Sequence, residues 1–338
     1  VTTQTRRHAY LASLLGIRHL AIAVNKIDLI DFDPARFDAI VTDFRAFASE
    51  FPNKELDIAA FPVSALDGDN IVSKSERTPW YHGPALLSWL ENLPSISNQA
   101  YAPLRLPVQT VIHPNQSFRG FAGQIASGTL RVGDTIEVLP SRKTAQVARI
   151  ATFDGDIKEA SAGRSVTLTL TEEIDIGRGD LMIHHDSITT VSDQFAANLV
   201  WMADQPLDVS KSYWLKHGTR TLKAWVEAID HRLNIDSLAT EQTALLALNE
   251  IGFVRVRTSQ PLAFDYYEDN RPLGGFILID PATNLTVAAG MITQAPTNTS
   301  ELAVPSEIKD PTATRSEAII QSKESHWRAV AKTASYRV

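Results

Sequence analysis

Apolar positions over the first ninety residues alternate between two rhythms. Residues 5–15 place Tyr10, Leu11, Leu14 and Leu15 at helical spacing, and Gly16 follows where a helix C′ residue needs positive φ. Residues 19–24 (HLAIAV) are nearly continuously apolar, as a strand buried on both faces requires. Residues 34–50 return to helical spacing through Phe37, Ile40, Val41, Phe44 and Phe47. Residues 58–63 (IAAFPV) predict a second buried strand. Residues 83–93 (GPALLSWLENL) predict a helix with Pro84 in its first turn. A strand–helix–strand–helix order implies a parallel sheet with right-handed crossovers.

The character changes after residues 94–107 (PSISNQAYAPLRLP), which read as a linker. Strand-like segments then alternate with glycine turns at 108–113, 120–127, 135–139, 143–152 and 165–170, the pattern of a small β barrel. A second all-β set covers 194–202, 212–216, 220–232, 243–258 and 275–279 and ends near Ile292. Residues 293–314 are polar and rich in Thr, Ser, Pro, Ala and Glu, as a flexible linker is, and weak helical spacing returns at 316–331. The expected organisation is therefore an α/β region over 1–95, one barrel over 103–192, a second over 193–292, and a linker or tail over 293–338.

Composition narrows the function. At 338 residues the chain has room for two or three domains, and 21% charged with 44% hydrophobic residues is an ordinary globular balance. A net charge of −7 argues against a dominant nucleic-acid footprint. There is no cysteine, which removes disulfides, thiolate metal sites and a catalytic thiol, and fits a reducing compartment such as the cytoplasm. No apolar run approaches the roughly 18–20 residues of a membrane-spanning helix. The chain starts at Val1, with no signal-peptide core after its early arginines.

The sharpest chemical signal is Asn25-Lys26-Ile27-Asp28, directly after the HLAIAV run. After a buried strand in a parallel α/β context, Asn-Lys-x-Asp reads guanine. The base presents two adjacent donors, N1–H and the exocyclic amine, and one carboxylate, here Asp28, can accept both. Adenine would leave that carboxylate unpaired at high cost. The stem of Lys26 can lie over the purine, and Asn25 can tie the loop to neighbouring backbone. Ser64-Ala65-Leu66 follows the second strand, where a backbone N–H, here that of Ala65, is expected to point at guanine O6. Ligands of open α/β sheets sit at such strand ends. The competing structural reading makes Asn25, Asp28 and Ser64 simple turn caps; the pair of loops favours the functional one.

No G-x-x-x-x-G-K-[ST] loop occurs in the chain, and no Asp-x-x-Gly precedes the first helix. In P-loop GTPases both lie N-terminal to Asn-Lys-x-Asp. A sequence that starts partway through the domain accounts for their absence, and the chain alone is expected to bind GTP weakly and not to hydrolyse it. No catalytic residue is expected in this chain.

Several stretches resemble translation-factor-like GTPases: Gln4-Thr5-Arg6-Arg7-His8, the run from Thr78 through Trp80-Tyr81-His82-Gly83 to Leu87, and Arg119-Gly120-Phe121-Ala122-Gly123 followed by Ser127-Gly128 and Gly133-Asp134. The last is similar to domain two of elongation factor Tu. The second barrel sets the branch. Leu248-Asn249-Glu250-Ile251-Gly252, residues 270–280 (NRPLGGFILID) and residues 283–292 (TNLTVAAGMI) resemble the large, GTP-binding subunit of bacterial sulfate adenylyltransferase, with Pro272 and Gly275 departing from its usual residues. The resemblance covers about residues 1–292. It implies a partial P-loop GTPase α/β domain followed by two elongation-factor-Tu-like β barrels and a flexible C-terminal tail. It further implies GTP as cofactor, with Mg²⁺ held in the full-length protein by residues absent here. The implied partner is a small ATP-pyrophosphatase-like subunit that joins sulfate to the α-phosphate of ATP, while this subunit couples GTP hydrolysis to that uphill step. Glu324-Ser325-His326-Trp327 resembles the run-in to a fused adenylylsulfate kinase. The alternative from another class is an elongation-factor-type GTPase that binds aminoacyl-tRNA, which the acidic balance and the NRPLGGFILID stretch disfavour.

Other candidates are weaker. His184-His185 with Asp186 invites a metal, but adjacent strand residues point to opposite faces. Trp80 and Tyr81 read as packing anchors. Arg255 and Arg257 share a strand face and predict an exposed basic stripe. Asp265, Glu268 and Asp269 read as a loop.

Overall fold

The computed structural model describes residues 1–52, 56–94, 99–115 and 118–294. The linker expected from residue 293 does not begin there, since Thr293 and Gln294 belong to the strand Thr286–Gln294; its remainder, the helical signal at 316–331 and the kinase-like run-in lie outside the described residues.

Helix α1 (Thr3–Leu14) starts at Thr2, whose hydroxyl accepts the Thr5 N–H at 3.3 Å, and stops before Gly16 at φ +67°. Strand β1 (His19–Val24) leads through a turn to α2 (Pro34–Ala48), where Asp33 caps the Ala35 N–H at 2.8 Å and Pro34 opens the helix. Strand β2 (Asp57–Pro62) pairs with β1 in parallel, from His19 opposite Asp57 to Val24 opposite Pro62. That register brings the two strand ends level. The aromatic spacing of α2 buries Phe44 and Phe47 with Phe51 and Tyr10, while Ile40 stays exposed. A second cluster of Val24, Ile27, Phe37 and Val41, closed by Trp80, lies under the strand ends.

The helix expected over 83–93 is shorter. Helix α3 spans Leu86–Glu91 and Pro84 lies outside it. The Tyr81 hydroxyl donates to the Pro84 carbonyl at 3.0 Å and the Ala60 carbonyl lies at 3.2 Å. Ala85 is extended, and the Leu86 and Leu87 N–H groups go to the Asn70 and Ile71 carbonyls. The chain before Leu86 is thus bound to the preceding loop instead of winding into a helix.

In the first barrel an antiparallel path runs Leu106–Pro107, Leu181–His184, Thr135–Leu139, Lys143–Thr152, Ser165–Leu170, Phe118–Gln124 and Thr110–Asn115. It curls round a core that includes Ile125, Leu130, Ile136, Ile150 and Met182. Leu104 and Leu106, read as linker residues, are 0% and 1% exposed and belong to this core, because their alternation with Arg105 aims them inward.

The second barrel closes. Ser212–His217, Gly275–Ile279, Thr286–Gln294, Thr190–Trp201, Ile251–Phe264 and Arg220–Leu233 pair in turn, and the last returns to the first. The strand expected over 243–258 is displaced to Ile251–Phe264. Pro261 lies inside it, beside a register shift where pairing jumps from Leu262 opposite Ser192 to Arg257 opposite Gln194. A proline is tolerated in such a bulge.

His217 lies in this barrel, 4% exposed, with Nε2 2.8 Å from the Leu273 carbonyl. Burial pushes its imidazole below the ordinary value of 6.5. Above that pH both folded and unfolded forms are neutral. Below it the unfolded chain takes a proton that the fold resists, so stability falls as pH drops, by up to about 1.4 kcal/mol per pH unit. His217→Gln is expected to flatten the acid limb of a stability–pH curve below about pH 6.5, measured by urea unfolding.

A buried polar network joins the barrels. The Arg105 guanidinium donates to both carboxylate oxygens of Asp265 at 2.8 and 3.0 Å, and to the Ile188 and Leu104 carbonyls. The Asn270 amide donates to Asp265 and to the Ser127 hydroxyl, each at 3.1 Å.

Candidate nucleotide-base site

The loops after β1 and β2 are bound to each other by backbone and side chain. The Val63 N–H donates to the Val24 carbonyl at 3.0 Å, and the Ile27 N–H donates to the Val63 carbonyl at 3.2 Å. Asn25 Oδ1 accepts the Lys26 N–H at 2.8 Å and the Ala65 N–H at 3.0 Å. One side chain therefore fixes both loops, the tie expected of Asn25. The Ala65 N–H, expected to face guanine O6, is instead given to Asn25, because the level strand ends put that acceptor within reach.

Lys26 is exposed in the left-handed region at φ 63° and begins the turn Ile27–Ile30. Ile27 is fully buried and anchors the turn in the cluster beneath. Asp28, next in line, is half-buried, and its Oδ1 is buried with no hydrogen-bond partner among the described residues. Leaving a carboxylate oxygen so is costly, and a native group of this kind calls for an explanation. A ligand donor arriving at this oxygen supplies one.

Ser64 is fully buried; its hydroxyl accepts the Asp67 N–H at 3.3 Å and its carbonyl the Gly68 N–H at 2.8 Å. Ser64 is thus a turn-former, with Ala65 and Leu66 exposed beyond it, Leu66 by 89%.

Sequence reading missed the residues that brace these loops. Asn70 is 1% exposed at φ 56°, donating to the Pro62 carbonyl at 2.8 Å and the Thr78 hydroxyl at 2.9 Å, and accepting the Ser75 N–H at 2.9 Å. The signal was present as Gly68-Asp69-Asn70, a turn cluster in which asparagine tolerates positive φ. Trp80 packs on Phe37 at 5.4 Å between ring centroids and donates its indole N–H to the Phe32 carbonyl at 3.0 Å. Tyr81 packs edge-on to Phe37, and burial raises its phenol to about 12, so the hydroxyl remains a donor at neutral pH.

The remaining candidates go elsewhere. His184 faces Asp134 at 3.2 Å and His185 faces Glu137 at 3.7 Å, so the two rings diverge. Arg255 pairs with Asp230 at 3.1 Å, while Arg257 pairs with Glu227 and covers the Trp225 ring at 5.0 Å. The expected basic stripe is neutralised by the neighbouring strand. Asp265 follows the strand Ile251–Phe264 in the expected loop and enters the buried pair with Arg105.

Comparison with known proteins shows the family. The model of the elongation factor Tu GTP binding domain matches residues 1–119, and that of the GTP-eEF1A C-terminal domain-like family matches residues 194–293. Sulfate adenylyltransferase subunit 1 of Aliivibrio fischeri is 44% identical over 330 residues, covering 97% of this chain and 68% of the relative. The chain belongs to the sulfate adenylyltransferase subunit 1 family. The subunit 1 proteins of Photobacterium profundum and Bacteroides fragilis are 47% and 46% identical, with 87% and 86% of this chain covered. The chain spans 62% and 61% of the length of these two subunit 1 relatives. Among solved structures, sup35 complexed with GDP aligns at a TM-score of 0.55 and 23% identity, over 87% of this chain and 74% of that one, a likeness of fold alone. The subunit 1 family thus carries an elongation-factor-Tu-like GTP-binding domain followed by barrels, the architecture seen here.

Proposed function

We propose that this chain is the base-reading and barrel portion of a GTPase subunit of sulfate adenylyltransferase. In the full-length protein that subunit couples GTP hydrolysis to formation of adenosine 5′-phosphosulfate and pyrophosphate from ATP and sulfate. The observation that carries the reading is the buried oxygen of Asp28, which has no hydrogen-bond partner among the described residues, at a loop that Asn25 ties to the loop of Ser64, Ala65 and Leu66. Asp28 would accept both the N1–H and the exocyclic amine of guanine. Lys26, exposed at the rim, would lie along the purine face. Asn25 would hold the second loop, and Ala65 and Leu66 would border the base. Bound GTP supplies the free energy of its hydrolysis; these residues select its base and take no part in adenylyl transfer. The described residues include no group of three or more His, Asp or Glu placed to hold a metal, and the proposal assigns Mg²⁺ no ligand among them. With no phosphate-cradling motif in its sequence, this chain alone would bind GTP weakly and not hydrolyse it.

The partner on this reading is a small, ATP-pyrophosphatase-like subunit, and the complex works in the cytoplasm. We assign the domain limits as 1–95, 103–192 and 193–292, with 293–338 as linker or tail, adjusted so that the strands Thr190–Trp201 and Thr286–Gln294 stay whole within the second barrel.

The test is reconstitution of the full-length subunit with its small partner, following adenosine 5′-phosphosulfate formation. Product is expected to accumulate well beyond the GTP-free level only with hydrolysable GTP, and with XTP in its place for Asp28→Asn. Equal product with and without GTP would refute the coupling.

A further inference from the structure

Just outside the residues that would touch the base, one arginine binds both loops at once. Arg77 lies thirteen positions beyond Ser64 and is half-exposed. Its guanidinium donates to Asp67 Oδ2 at 2.9 Å and to Asp69 Oδ1 at 3.2 Å, with a further, shorter contact to the second oxygen of Asp69. Asp69 is 8% exposed, accepts the Ser75 hydroxyl at 2.6 Å, and pairs by backbone bridge with Ser64. Arg77 is thereby fastened to the loop that carries Ser64, Ala65 and Leu66.

The same guanidinium lies over the Phe32 ring, 4.7 Å from its centroid. Phe32 closes the loop that carries Asp28: its N–H donates to the Ile27 carbonyl at 3.0 Å. Asp31 and Phe32 hold φ of 51° and 55°, two consecutive non-glycine residues in the left-handed region. Such strain persists only where surroundings over-determine it, and it collects at functional sites. Here the surroundings are Trp80, gripping the Phe32 carbonyl, and Arg77, covering its ring. A planar guanidinium suits both tasks, stacking on an arene while donating in its own plane to carboxylates; lysine can do only the second well.

We propose that Arg77 is a positioning residue for base discrimination, holding the strained Asp31–Phe32 corner, and so the Asp28 carboxylate, at a fixed distance from the Ser64–Leu66 loop. The inference rests on the guanine-reading role of Asp28 and names a residue that controls how sharply that reading is made. Inosine nucleotides provide the readout, since they keep N1–H and lack the exocyclic amine. The advantage of GDP over IDP therefore reports whether Asp28 is placed to accept both donors at once.

The test uses the full-length subunit, with GDP and IDP affinities measured by displacement of a fluorescent GDP and dissociation followed by stopped flow. Arg77→Ala is expected to speed GDP release about tenfold with little change in association, and to shrink the GDP-over-IDP ratio about fivefold. Phe32→Leu, which keeps both ion pairs and removes the stacked face, is expected to reproduce most of that loss. Arg77→Lys is expected to fall between. Arg77→Ala with an unchanged GDP-over-IDP ratio would overturn the proposal, as would equal weakening of both nucleotides, the mark of a merely structural role. Asp28→Asn in parallel separates the two ideas. If it switches preference to XDP while Arg77→Ala changes no ratio, guanine reading stands and the positioning role fails. If it does not switch, the base reading fails and takes the positioning role with it.

Discussion

Arg105→Ala is expected to destabilise the protein by about 3–5 kcal/mol, the cost of removing one partner from a buried ion pair. The Arg105 and Asp265 side chains are 5% and 13% exposed, so water screens neither charge well. Among the described residues, truncation at Arg105 leaves the Asp265 carboxylate with only the Asn270 amide at 3.1 Å, and takes donors from the Ile188 and Leu104 carbonyls. The surviving Asn270 bond puts the loss toward the lower end of the range. Because buried ion pairs repay their desolvation poorly, Arg105→Met with Asp265→Leu is expected to recover most of the loss. Urea unfolding of the two variants checks both statements. A loss below about 1 kcal/mol for Arg105→Ala would show that the network contributes little to holding the barrels together.

The case of Arg105 also shows where sequence reading ends. Its neighbours Pro103 and Pro107 made the stretch look like a linker, and its partner lies 160 residues away. Nothing local distinguishes an arginine in solvent from one that will meet a buried carboxylate. Conversely, both parallel strands were legible within a residue as continuous apolar runs, although Ala21 and Ala23 are exposed, so the first strand is not covered on both faces as that pattern implied. Strands Thr135–Leu139, Lys143–Thr152 and Gly275–Ile279 were legible to the residue because turn residues bound them. One error arose where a proline was read as a helix start. Pro84 opens no helix because Tyr81 holds its carbonyl and the Asn70 carbonyl takes the Leu86 N–H, bonds that helical spacing does not reveal.

At the candidate site, Asn25, Asp28 and Ser64 were legible as types at the ends of apolar strands. The bracing by Asn70, Arg77 and Phe32 was not. The Ala65 N–H was expected at the base, yet it is bonded to Asn25, a pairing that only the β1–β2 register reveals.

The central claim is that the Asp28 carboxylate selects the base. Its loss should be large, because two hydrogen bonds to a charged acceptor are worth about 3–6 kcal/mol together, or roughly 10²- to 10⁴-fold in affinity. Asparagine in its place offers one acceptor and one donor, which suits xanthine, whose position 2 carries a carbonyl, and leaves guanine's exocyclic amine facing a donor. Calorimetric titration of GDP and XDP into the full-length subunit, parent and Asp28→Asn, is the direct measurement. The predicted result is a crossing, with GDP weakened at least about a hundredfold and XDP becoming the tighter ligand. Unchanged GDP affinity in Asp28→Asn, with no gain for XDP, would contradict the account.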